Sequence, residues 1–281
     1  MREQLIEREF SRTLRKIAAF LLSSLVLFVI CTPIAQAQDW AKAKLEKSPR
    51  HLEWIDVKNG DRTLKCFIAY PESKKPATAV LVIHEIFGLS DWVREVCDDL
   101  ASNGFIAIAP DLLSGKPGED TTTYKSVDDV RKAVSSLPRE QVASDLKVVA
   151  DYLSHLPACN GKLALAGFCW GGTQTWLAMV SDPSLKAGFV FYGSPSASAN
   201  EFDKIKAPVY GFYGEKDARV TSTVDDTKAG MKKASKVYEP VIYSNAGHGF
   251  MRSGEAPDAE PPNMEARKEG WARMLRLLQK L

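Results

Sequence analysis

Cysteine is scarce in this chain: five among 281 residues, no two at C-x-x-C spacing and none in a Cys/His cluster. Such counts argue against a disulfide scaffold and a structural zinc site, so each thiol is read for packing or reactivity. No apolar run reaches the roughly 20 residues that span a bilayer; the longest, Ile17–Ile30, has 14. Runs of like charge and short-period repeats are missing from residues 38–281. With 37 Lys/Arg against 35 Asp/Glu, nothing draws the chain electrostatically to nucleic acid or anionic lipid. A composition of 45% hydrophobic and 26% charged residues excludes disordered and collagenous classes.

What is present begins with an address. Arg12, Arg15 and Lys16 precede the apolar run, and Ala35-Gln36-Ala37 follows it. A charged region, a short apolar region and an A-x-A site read as a secretory signal over residues 1–37, cut after Ala37. Phe28-Val29-Ile30 is a poor context for lipidation of Cys31. The expectation is a periplasmic protein with no stable membrane anchor. Its body, residues 38–281, carries 32 bases and 32 acids. That length suits a single α/β domain, active as a monomer or small homo-oligomer.

Within the body, apolar runs of strand length alternate with amphipathic stretches of helix length. The runs are 78–83, 105–109, 162–166, 187–192, 208–213 and 238–243. Most are apolar throughout, as parallel strands covered on both faces are. Helices are predicted over 92–102, 140–156, 173–180, 224–234 and 264–278. Residues 52–57 and 63–70, split by Asn59-Gly60-Asp61, read as an opening antiparallel hairpin. The fold class is α/β, a mostly parallel sheet with helices on both faces, whose ligands bind beyond the carboxyl ends of the strands. The irregular stretch 111–123 is expected to frame a pocket there.

The sharpest motif is Gly167-Phe168-Cys169-Trp170-Gly171-Gly172, between a predicted strand and a predicted helix. A G-x-nucleophile-x-G turn in that context is the nucleophile elbow of α/β-hydrolases. The helix amides aimed at the thiol are expected to favour a thiolate. An acid and a histidine should follow on later strand-end loops. Asp217 lies after the run 208–213, with Glu215 as a competitor, and His248 lies after 238–243. Of the other histidines, His51 precedes the predicted fold, His155 ends a helix, and His84 stands before the nucleophile in sequence.

Together with His84-Glu85-Ile86-Phe87-Gly88, these residues give the chain a resemblance to the dienelactone hydrolase (carboxymethylenebutenolidase) family, from about residue 52 onward. The resemblance implies an α/β-hydrolase fold, hydrolysis of a small ester or lactone, and no metal or organic cofactor. It also implies a triad of Cys169, His248 and Asp217, with Glu85 holding the resting thiol. The amides of Ile86 and Trp170 match the family's oxyanion hole, and Arg252 matches an arginine that binds the substrate's carboxylate. A second family arginine is missing: Pro110-Asp111-Leu112 is followed by Leu113-Ser114-Gly115, with Lys116 the nearest cation. That departure and the export signal leave open a general carboxylesterase or thioesterase, or a catalytically silent binding module.

Overall fold

The computed structural model describes residues 38–115, 119–196 and 201–281. Residues 1–37, expected to form a secretory signal, and Lys116 lie outside the described residues. Among these, no helix is long and apolar enough to cross a membrane.

A first helix, α1 (Asp39–Leu45), leads into the hairpin β1 (His51–Asn59) and β2 (Arg62–Tyr70). Gly60, at φ +58°, makes the reversal. His51 does not precede the fold, as its position suggested; it opens β1 opposite Tyr70. Then come β3 (Ala77–Ile83), α2 (Asp91–Ser102), β4 (Ile106–Pro110), α3 (Val127–Ser135) and α4 (Arg139–Ser154). The second half holds β5 (Cys159–Phe168), α5 (Trp170–Ser181), β6 (Ala187–Phe191) and β7 (Val209–Gly214). The chain closes with α6 (Ala218–Thr221), α7 (Val224–Lys233), β8 (Tyr238–Tyr243), α8 (Phe250–Ser253) and α9 (Pro261–Leu278).

One eight-stranded sheet runs β1-β2-β4-β3-β5-β6-β7-β8. The pairs β1/β2 and β2/β4 are antiparallel and all the others parallel. Side chains alternate across the central strands. Val80 and Val82 of β3 share one core cluster with Trp92 and Val96 of α2 and Met274 of α9. Leu81 and Ile83 share the cluster on the other face with Leu146 of α4, Trp176 of α5 and Met231 of α7. With both faces dry, β3, β4 and β6 are buried end to end, which is why their sequences do not alternate.

Candidate active site

Four loops bring the site together at the carboxyl ends of β3, β5, β7 and β8. The tightest joins β5 directly to α5 through Cys169, whose backbone sits at φ 55°, ψ −115°. That is a strained conformation for a residue with a Cβ. Glycines make it possible: a Cβ on Gly167 would lie 2.1 Å from the Gly171 carbonyl, and one on Gly171 would lie 2.3 Å from that of Ile83. The Cys169 N–H donates to Phe191 O at 3.0 Å, tying the turn to β6.

Its sulfur lies 3.1 Å from His248 Nε2, and His248 Nδ1 donates to Asp217 Oδ2 at 2.5 Å. The loops after β7 and β8 are joined by main-chain bonds that hold acid and imidazole together. Glu215 N–H donates to Tyr243 O and Lys216 N–H to Ala246 O. Glu215, the competing acid, caps this junction instead: its Oε2 accepts from Asn245 N–H at 2.8 Å and from Ser244. On α9, Asn263 Oδ1 accepts the Gly247 N–H beside the histidine.

Backbone amides of Trp170 and Ile86 both hydrogen-bond the Cys169 sulfur and favour its ionised form. They do not win. Burial, reinforced by the negative charge of Glu85, pushes the thiol up to about 11. Burial and Glu85 thus favour the neutral thiol over the thiolate that a helix N-terminus alone would favour. Side chains of Ile86 and Trp170 pack against Leu113, Val130 and Val134, so α3 covers the loop after β3 and the start of α5.

Glu85 is almost fully buried. Its Oε2 accepts from Arg252 Nε at 2.7 Å and its Oε1 from the Tyr192 hydroxyl at 3.4 Å. The guanidinium of Arg252 also stands 5.1 Å over the Phe87 ring. Glu85 is thus close enough to act on the thiol through its charge while its hydrogen bonds go to Arg252 and Tyr192. Where the family has its second arginine, Gly115 takes φ +147° and the Arg62 guanidinium fills the space beside its Cα. Arg62 is itself committed to Ser114 O and to the buried Asp145, at 2.7 and 3.1 Å.

Sequence reasoning missed two residues of the site. Tyr192, buried with φ 41°, touches Glu85 and packs its ring edge-on to His248 at 5.0 Å. His84, set aside on sequence order, is fully buried beside Glu85. For His84 a signal existed, its adjacency to Glu85; for Tyr192 there was none beyond its place at the end of β6. The cysteines at 66, 97, 159 and 169 are all unbridged. Among the described residues, the acids close enough to share a metal are Glu95, Asp99 and Glu255, and Lys44 and Arg267 already pair with them.

Comparison with known proteins places this geometry. The model of the dienelactone hydrolase family matches residues 64–281. Relatives in Methylorubrum extorquens and Salmonella typhimurium, each named "Putative carboxymethylenebutenolidase", are 32% and 34% identical. The alignments cover 78% of this chain and 78% of the first relative, and 75% and 81% for the second. The crystal structure of a "Putative Dienelactone Hydrolase" from Klebsiella pneumoniae superposes with a TM-score of 0.73 at 30% identity, covering 83% of this chain and 99% of that one. An eight-stranded, mostly parallel sheet of α/β-hydrolase order, carrying a cysteine elbow and these relatives, makes the chain a hydrolase belonging to the dienelactone hydrolase family.

Proposed function

We propose that the protein hydrolyses small esters or lactones through an acyl-enzyme on Cys169. The continuous hydrogen-bonded line from Cys169 Sγ through His248 to Asp217 Oδ2 carries this reading. His248 Nε2 takes the thiol proton as sulfur attacks the carbonyl carbon, and the carbonyl electron pair moves to oxygen. That oxyanion is received by the Ile86 and Trp170 N–H groups. Collapse breaks the bond to the leaving oxygen, which takes the proton from His248, and leaves a thioester. Water then gives a proton to His248 and attacks the thioester, releasing the acid and restoring the thiol. Asp217 fixes the imidazole tautomer and stabilises the imidazolium.

Arg252 is the carboxylate-binding group in this reading. A substrate carboxylate competing for its guanidinium would loosen Glu85, the alternative first acceptor of the thiol proton, from which the proton passes on to His248. With the Arg62 guanidinium beside Gly115 committed to Ser114 O and Asp145, the pocket takes neutral esters more readily than a two-arginine site would. Arg252→Ala is expected to lower kcat/KM for a carboxylate-bearing lactone about 10- to 100-fold more than for its neutral methyl ester, as one lost charged hydrogen bond allows. Equal losses on both substrates would make Arg252 a structural residue only.

We further infer that the protein is exported and cut after Ala37. Gln38, the residue after that cut, already belongs to the body: its Oε1 accepts the Trp92 N–H at 3.2 Å, at the start of α2. Intact-mass measurement on material from the native compartment should find a chain beginning at Gln38. Recovery of the uncleaved chain from the membrane fraction would favour an anchor instead.

A further inference from the structure

We infer that His84 is the positioning residue of the oxyanion hole, fixing the Ile86 amide through a hydrogen bond and packing against the residue that supplies the other donor. The inference rests on the reading of Cys169 as nucleophile and deepens it. His84 is fully buried at the end of β3, and its Nδ1 lies 2.7 Å from the Glu85 carbonyl oxygen. Glu85 C=O and Ile86 N–H belong to one planar trans peptide and point in opposite directions, so fixing the carbonyl fixes the amide. That amide is one of the two aimed at the Cys169 sulfur. The same carbonyl also accepts the Gly88 N–H at 3.2 Å, which closes the turn over residues 85–88. A carbonyl so engaged polarises its peptide and strengthens the N–H on the other side.

The imidazole reaches the second donor as well. Its ring stacks on Trp170, with centroids 5.4 Å apart and planes 13° from parallel. Trp170 supplies the other amide at the sulfur. A Cβ on Gly171 would lie 2.5 Å from the His84 carbonyl, so the backbones of His84 and the elbow are in direct contact.

The remaining nitrogen gives the assignment its direction. Nε2 is buried without a hydrogen-bond partner among the described residues. An unpaired buried nitrogen costs free energy that a phenylalanine of similar shape would avoid. What phenylalanine cannot supply is the Nδ1–H donor to Glu85 O. Burial lowers the imidazole's pKa, and the 2.7 Å contact with a carbonyl oxygen, which can only accept, places a proton on Nδ1.

Two substitutions separate donor from ring. His84→Phe keeps the stack and removes the donor; His84→Asn places an amide N–H near the Nδ1 position and removes the stack. With an activated 4-nitrophenyl ester, His84→Phe should lower kcat about 10- to 100-fold, with KM changed by no more than about twofold. Affinity for a trifluoromethyl ketone, whose thiol adduct carries an oxyanion in the hole, should fall by the same factor. His84→Asn should recover most of both losses. Wild-type kcat in His84→Phe, a loss confined to KM, or equal damage in both variants would overturn the assignment. Nitrogen-15 NMR of the wild-type protein decides the matter even if a variant fails to fold. It should show the Nδ1–H tautomer without titration between pH 5 and 8, and an Nε2–H tautomer would overturn the proposal. Failure of the nucleophile reading itself shows separately, as ester hydrolysis that survives Cys169→Ala.

Discussion

Replacing Cys169 by alanine is expected to lower kcat for ester hydrolysis by at least about 10⁴-fold, leaving only substrate binding and the oxyanion amides. Full activity in that variant would sink the acyl-enzyme mechanism. Cys169→Ser is the finer comparison. A hydroxyl loses its proton far less readily than a thiol, and Glu85 and burial already work against ionisation at this position. Serine should therefore give a large loss, not an exchange of one nucleophile for another. The same electrostatics fix the behaviour of the free enzyme. A thiol pushed up to about 11 is ionised only to about one part in 10⁴ at pH 7. Alkylation by iodoacetamide should be slow at neutral pH and climb about tenfold per pH unit as the thiolate fraction grows. A rate that is already flat from pH 6 to 9 would mean that the resting site holds a thiolate.

Asp217→Asn should be nearly as damaging as loss of the sulfur, with kcat falling by about 10⁴-fold, the cost of presenting the wrong imidazole tautomer in a related triad. Asp217 is almost fully buried and makes the short bond to His248 Nδ1. An amide there can turn its NH₂ toward the ring, forcing the proton onto Nε2, where it can no longer accept from the thiol. The backbone bonds joining the loops after β7 and β8 do not involve this carboxylate, so the fold should survive. Circular dichroism and kcat measured on one preparation would check both halves of that expectation. Combining Asp217→Asn with Cys169→Ala should add little to either alone, because the residues act as a unit. A double variant much worse than both would separate their roles.

Much of this was readable before any coordinates, for reasons that differ by element. The buried strands announce themselves because residues such as 78–83 have no polar face to offer, and the elbow is legible because its glycines are required by sterics. Short helices were not. In α1 only Ala41 is buried, and in α3 only Val130 and Val134, too few positions to make a helical stripe. At the site, chain order found the three residues of the candidate triad. It could not find the partners of Glu85, because Tyr192 and Arg252 lie 107 and 167 residues away along the chain. Nor could it weigh helix amides against burial at Cys169, since that balance depends on tertiary surroundings.

The backbone at Cys169 has a consequence for how such a protein can be improved. A side chain held at φ 55° in a region suited to glycine stores about 1–3 kcal/mol of strain, which the surrounding contacts must outweigh. The sequence that best satisfies this scaffold is therefore not the sequence that performs the reaction. Selection for thermal endurance alone would press toward glycine at position 169 and remove the proposed nucleophile. Robustness has to be gained at a distance from the elbow, for instance at surface helix caps, where nothing is asked of the reacting atoms.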